Sequence, residues 1–304
     1  MTATVMAEGL RFPEGPVVYP DGSVIVVEIL GGALTRVWGD GRKEVVATPE
    51  GGPNGAAVGP DGALYVCNNG GFRGFGMESP NIGPGRIERV DVATGKVDRL
   101  YTHVGEHALS SPNDIVFDAQ GGFWFTDLGA HSGRRRNASG LYYAKPDGSH
   151  VVEVVFGAVG FNGVGLSPDG TELYVADTFT ARLWAYRIEG PGKLAGEGQP
   201  LGRLAGVAPG DTGFDSLGVT AAGNVCVATL KNVPTHDAPA SGGISSYDPA
   251  TRACEFTPLD DAYVTNIAFG GADMKKAHVT LSGTGRLVRT DWSEPGLKLN
   301  FNPY

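Results

Sequence analysis

Six oxygen-bearing side chains recur at one position of a repeated pattern. They are Glu14, Asn54, Asn113, Asn162, Asp215 and Asn266, separated by 40, 59, 49, 53 and 51 residues. Each sits at the head of a stretch with the same form: a polar residue, a short apolar run, a turn, a second apolar run. The copies read FPEGPVVYPDGSVIVVE (12–28), GPNGAAVGPDGALYVCN (52–68), SPNDIVFDAQGGFWFTD (111–127), GFNGVGLSPDGTELYVAD (160–177), GFDSLGVTAAGNVCVAT (213–229) and VTNIAFGGADMKKAHVT (264–280). Neither His nor Cys shares the position, so the donors suit a hard cation: Ca²⁺ first, Mg²⁺ or Mn²⁺ next. Glu14 and Asp215 bring two negative charges to a divalent ion, and the Asn side chains bring neutral carbonyl oxygens. Ca²⁺ takes about six to eight ligands, so four side chains would leave places for water and substrate, as a catalytic metal requires. The competing reading is that Asn-Gly, Asn-Asp and Asp-Ser are ordinary turn pairs. Turns explain neither a Glu in one copy nor an Asp in another, and converging carboxylates repel unless a cation compensates.

The elements that must position these residues are strands. Runs such as SVIVVE, ALYVC, GFWFT and ELYVA are short and rich in β-branched and aromatic residues. No stretch has a convincing helical pattern. Six copies in 304 residues give about 51 per unit, the period of a β-propeller with four strands to a blade. In the first unit GPVVY, SVIVV, ALTRVW and KEVVA read as strands A to D, with PDG as the A–B turn. The last unit is one strand short, and TATVM near the N-terminus is expected to complete it and hide the open edges. The expectation is an all-β, six-bladed β-propeller, with four-stranded antiparallel blades around a central channel, in one domain over 1–304. Composition agrees. Gly is frequent at 48 and Pro at 20, yet 41% of residues are hydrophobic, which fits many tight turns in a folded β protein.

Strand A of every blade lines the channel, so the six residues converge on one axis at one end. The A–B turns, with Asp21, Asp61 and Asp169, then lie at the far end and serve only as turns. The B–C loops return to the rim. Three are long (68–86, 128–140 and 230–243), and they bring Phe72, Arg73, Phe75, His131, Arg134, Arg135, Arg136 and His236 to the mouth as candidate substrate contacts. Asp127 and Asp177 end their B strands, as Glu28 does, and are expected to cap or pair locally.

FPEGPV, SPND, FNGVGLSPDG and TNIAFGG together resemble motifs of the senescence-marker-protein/gluconolactonase family, which includes regucalcin, over nearly the whole chain. The resemblance implies a six-bladed propeller with one divalent cation on its axis: Ca²⁺ first, with Zn²⁺, Mn²⁺, Mg²⁺ or Fe²⁺ as alternatives. It implies Glu14, Asn113, Asn162 and Asp215 as ligands, with Asn54 and Asn266 behind them or against substrate. The family pattern has Asp-Gly where this chain has Asp215-Ser216, which leaves the carboxylate in place. The activity implied is hydrolysis of a sugar lactone or similar lactone, with Asp215 as the base that assists water. A phosphotriesterase-like hydrolase on the same metal and a binding propeller without chemistry are the alternatives.

Other classes lack support. The net charge of −9 repels phosphate backbones, so no nucleic-acid partner is expected. No Gly-x-Ser-x-Gly elbow and no phosphate loop opening a helix occurs. No run approaches the length of a membrane span and the N-terminus lacks a basic and apolar leader, so a cytoplasmic protein without a membrane partner is expected. Cys67, Cys226 and Cys254 fit no metal motif, and the first two read as small buried hydrophobes.

Overall fold

The computed structural model describes residues 3–132, 134–203, 211–231 and 241–304. Six four-stranded antiparallel sheets form a six-bladed β-propeller, and no helix occurs among the described residues. Blade 1 comprises Pro13–Val18, Val24–Glu28, Ala33–Val37 and Lys43–Ala47. Blade 2 comprises Pro53–Val58, Leu64–Asn68, Arg86–Asp91 and Lys96–Tyr101. Blade 3 comprises Pro112–Phe117, Phe123–Asp127, Ser139–Ala144 and Val151–Ala158. Blade 4 comprises Phe161–Leu166, Glu172–Asp177, Arg182–Gly190 and Lys193–Gly202. Blade 5 comprises Thr212–Val219, Val225–Lys231, Gly243–Tyr247 and Cys254–Pro258. Blade 6 takes Val264–Gly270, Lys276–Leu281 and Arg286–Asp291 from the C-terminal part, and its outer strand, Thr4–Ala7, from the N-terminal part. Val5 pairs with Val288, and Met6 and Ala7 pack with Val24, Val26 and Val37 of blade 1.

Blade stacking explains the residue pattern. A B strand is covered on both faces by neighbouring blades, so VIVVE and LYVCN are buried at every position. Outer strands such as Lys43–Ala47 face water and are largely polar or exposed. The core is a series of seams between blades. Tyr65 of blade 2 meets Phe117 of blade 3 edge-on at 5.1 Å, and Phe117 meets Phe123 at 5.2 Å. Cys67 and Cys226 are buried in such seams as free thiols.

The A–B turns behave as turns. Asp21 Oδ1 accepts from Ser23 N–H at 3.0 Å, Asp61 Oδ1 from Ala63 N–H at 3.2 Å and Asp169 Oδ1 from Thr171 N–H at 3.0 Å. Beyond blade 6 the chain crosses this same end of the channel. Leu297 N–H donates to Val219 O at 2.8 Å, Asn300 Nδ2 to Phe117 O at 3.0 Å and the Tyr304 hydroxyl to Tyr19 O at 2.8 Å. The tail thereby touches blades 5, 3 and 1.

Candidate functional site

The six recurring residues lie near the start of strand A in every blade, and the local backbone turns them inward. The A–B ladder skips there: between Glu14 and Val17, Pro53 and Ala56, Pro112 and Ile115, Phe161 and Val164, Phe214 and Leu217, Val264 and Asn266. Such irregularities bend a strand and re-aim its side chains. The glycines beside the markers have a different purpose from the one expected of turns. A Cβ on Gly15 would stand 2.4 Å from Asn54 O, on Gly55 2.5 Å from Asn113 O, and on Gly163 2.7 Å from Asp215 O. Only glycine lets the next marker segment come so close, and this contact, repeated between blades, draws the ring together.

Five of the six side chains are buried, and Asp215 is half-buried. Glu14 Oε2 accepts from Gly15 N–H at 2.7 Å and from Asn266 Nδ2 at 2.7 Å, which joins the first blade to the last. Asn162 Nδ2 donates to the Thr178 hydroxyl at 3.0 Å, and the Asn162 side chain lies near enough to the Asp215 carboxyl to favour its charged form. Glu14 Oε1, Asn113 Oδ1 and Asn162 Oδ1 are buried without a hydrogen-bond partner. All three belong to residues in the expected ligand set.

Sequence reasoning missed a third carboxylate. Asp114 occupies the position filled by Gly15, Gly55 and Gly163 in other blades, and its side chain lines the channel beside the ring. The Asn-Asp pair reads as a turn, and the one available signal was a charge where three of its five counterparts are glycine and the others are Ser216 and Ile267. Burial pushes the Asp114 carboxyl up to about 7, against the Ile115 N–H that donates to it at 2.9 Å. Burial likewise raises Asp215 to about 7, opposed by the neighbouring Asn162 amide, with the Asp114 charge adding to the rise. Glu14 is raised well above its ordinary value by burial first, and then by the charge of Asp215. A bound cation relieves this kind of crowding. Beyond the ring, Val17, Ile115, Val164, Leu217 and Ile267 line a cavity of about 80 Å³, which the tail residues Leu297 and Leu299 also line.

At the rim, Phe72 stands edge-on to Phe12 at 5.7 Å, and Phe75 packs on Phe12 at 5.0 Å and on Tyr263 at 4.9 Å. Phe12 and Tyr263 were not anticipated. Their neighbours lie in other blades, and no local pattern marks them. Arg73 is tied to Glu78 at 2.5 Å across a two-residue ribbon. His131 pairs through its backbone with Arg136, Arg134 is exposed at the tip of that loop, and the Arg136 guanidinium lies 3.6 Å from the centre of the Phe179 ring. His236 lies outside the described residues.

The residues that end the B strands hold loops. Glu28 accepts from Arg11 N–H at 2.6 Å, Asp127 from Ser110 and Ser111 N–H at 2.7 Å each, and Asp177 from Phe179 and Thr180 N–H at 3.1 Å each.

Residues 12–283 match the profile of the SMP-30/gluconolactonase/LRE-like region, which begins at the aromatic residue before Glu14 and extends past the last marker. The chain belongs to the SMP-30/gluconolactonase/LRE-like family. This family member is 32% identical over 188 residues to the lactonase drp35 of Staphylococcus haemolyticus, covering 61% of the chain and 53% of that protein. It is 27% identical over 212 residues to the gluconolactonase of Zymomonas mobilis, covering 62% and 55%. The chain thus spans about half the length of these relatives. Among solved structures, regucalcin of Agrobacterium tumefaciens, described as a calcium-binding protein, superposes with a TM-score of 0.71 at 20% identity over 98% of each chain, a likeness of fold.

Proposed function

We propose that this chain hydrolyses lactones with a divalent cation held by Glu14, Asn113, Asn162 and Asp215. One observation carries the reading: the three buried, unpartnered oxygens of Glu14, Asn113 and Asn162. A buried acceptor without a partner costs about 1–3 kcal/mol, and three at one end of one channel imply a shared partner. The donors are all oxygen and include two carboxylates, which favours Ca²⁺ over softer ions. The relatives named lactonase and gluconolactonase, and the neighbour described as calcium-binding, support the same reading.

When bound, the cation would supply Lewis-acid polarisation of the lactone carbonyl and charge stabilisation as the acyl oxygen becomes negative. The protein's part follows from the ring. Asp215, the least buried marker, is the group we assign to take a proton from the attacking water. The water oxygen bonds to the acyl carbon, the ring C–O bond breaks, and Asp215 returns its proton to the departing oxygen to give the hydroxy acid. Asn162 favours the charged form of the neighbouring Asp215 carboxyl, and Asn266 fixes Glu14 through its hydrogen bond. Asn54, at the same point of blade 2, is the residue we assign to a contact with substrate.

The test is a pH-stat screen of sugar and non-sugar lactones, with an organophosphate alongside, on protein stripped by chelator and refilled with single metals. Asp215→Ala and Glu14→Gln are expected to lose bound metal and to lower turnover by at least a hundredfold. Undiminished turnover and metal content in either variant would discard the site, and organophosphate turnover without lactone turnover would discard the substrate class.

A further inference from the structure

The mouth of the ring is not uniform. Above the Glu14–Asn266 hydrogen bond it is walled by four aromatic rings drawn from three blades. Phe12 lies two residues before Glu14, Tyr263 three residues before Asn266, and Phe72 and Phe75 belong to the blade 2 loop. Phe75 contacts both Phe12 and Tyr263, yet remains 47% exposed, and Ile82 of the same loop is 44% exposed. The apolar surface is therefore braced from behind and open in front.

Backbone conformation points the same way. Phe12 and Phe75 have φ of 60° and 53°, in the left-handed region that bulky residues avoid. Two rings of one cluster are thus held in strained positions, a condition that gathers at ligand sites. The charged side chain between Phe72 and Phe75 in the sequence is occupied elsewhere, since Arg73 is paired with Glu78 on the same ribbon. A polyhydroxylated lactone laid on this wall would lose water from its hydroxyls and find rings instead of hydrogen-bond partners. An apolar substituent would lose only unfavourable hydration.

We infer that the Phe12–Phe72–Phe75–Tyr263 wall is a binding shelf for an apolar substituent, so that the favoured substrates are alkyl- or aryl-substituted lactones rather than aldonolactones. The inference rests on the lactone-hydrolase reading of the ring, and it assigns Phe75 as the residue that sets selectivity. Its magnitude follows from area. A fully buried methylene contributes about fourfold in affinity, and a shelf open on one side captures about half of that free energy, so a pentyl chain contributes about 30-fold.

The experiment has two arms on the full chain with excess Ca²⁺. In the first, calorimetry compares an inert δ-lactam bearing a pentyl group with the unsubstituted δ-lactam. Wild type should bind the pentyl compound about 30-fold more tightly. Phe75→Ala should cut that ratio about tenfold, and Phe75→Leu should keep most of it. In the second, kcat/KM is compared for a pentyl-substituted δ-lactone and an aldono-δ-lactone. Phe75→Ala should lower the ratio of the first to the second about tenfold. Phe75 is a surface residue, so these variants keep the core intact. A lactam ratio near one in wild type, a ratio unchanged by Phe75→Ala, or equal losses on both lactones would overturn the shelf. Lactam discrimination without hydrolysis of either lactone would overturn the hydrolase reading and leave the shelf standing. Hydrolysis of the aldonolactone without lactam discrimination would do the reverse.

Discussion

Replacing Gly163 by Ala tests whether the ring is assembled by close backbone approach. The glycine has no left-handed φ, so alanine adds a methyl group and no dihedral strain. That methyl would stand 2.7 Å from Asp215 O, 2.8 Å from Leu217 N and 2.8 Å from Ser216 Cα. All three are backbone atoms, and none can swing aside as a flexible side chain would. Overpacking of this kind costs about 1–3 kcal/mol, and the upper end applies where only backbone can yield. With an unfolding entropy of about 2.1 cal/mol/K per residue, 3 kcal/mol lowers the Tm of a chain this size by about 5 °C. Gly190→Ala is the control, since a Cβ there meets nothing within 4 Å. Its Tm should equal or slightly exceed that of wild type, because alanine restricts the unfolded chain. Thermal unfolding by circular dichroism, with and without Ca²⁺, reads both effects. On the proposed cation site, Ca²⁺ should raise the Tm of wild type, and Gly163→Ala should shrink that rise, because blade 5 would carry Asp215 away from its neighbours. Equal melting points for the two alanine variants would refute the close-approach argument.

Two further perturbations probe the surrounding structure. Arg86 and Glu88 form a buried ion pair at 2.5 Å, with the Arg86 guanidinium also donating to Pro49 O at 3.0 Å, so Arg86→Met should cost about 3–5 kcal/mol while Arg86→Met with Glu88→Leu recovers most of it, read by urea unfolding. His278 is buried against Arg289, and burial first, then that charge, lowers its pKa from 6.5 to about 4. The unfolded chain therefore binds this proton first; stability is complete above pH 6.5 and falls by about 3 kcal/mol as pH drops to about 4, a slope that His278→Gln should remove in urea titrations across that range.

The strands were legible because blade stacking leaves B strands dry on both faces, and VIVVE or FWFTD advertise that in local composition. The ring of markers was legible because a repeat places equivalent residues at equivalent points. What could not be read was the contact between repeats. The glycines after Glu14, Asn54 and Asn162 read as turn formers, while their reason lies in the backbone of the following blade. Asp114 disappeared into the same pattern. Phe12 and Tyr263 are separated by most of the chain and meet only when the circle closes, so neither a period nor a motif announces them. The 68–86 loop does carry Phe72 and Phe75 against Phe12 and Tyr263, but which loop side chains are held by partners, as Arg73 is by Glu78, depends on ribbon pairing that composition does not encode.

The C-terminal tail gives the molecule a direction. Because Leu297 and Leu299 lie over the outlet opposite the markers, the axis is a stoppered well with room beneath the ring for a few waters. On the proposed lactone hydrolysis, traffic is then in single file through one doorway: a hydroxy acid would have to back out past the same aromatic wall before another ester could descend. An acid bearing a greasy tail would linger on that wall, and its departure would set the pace of the cycle.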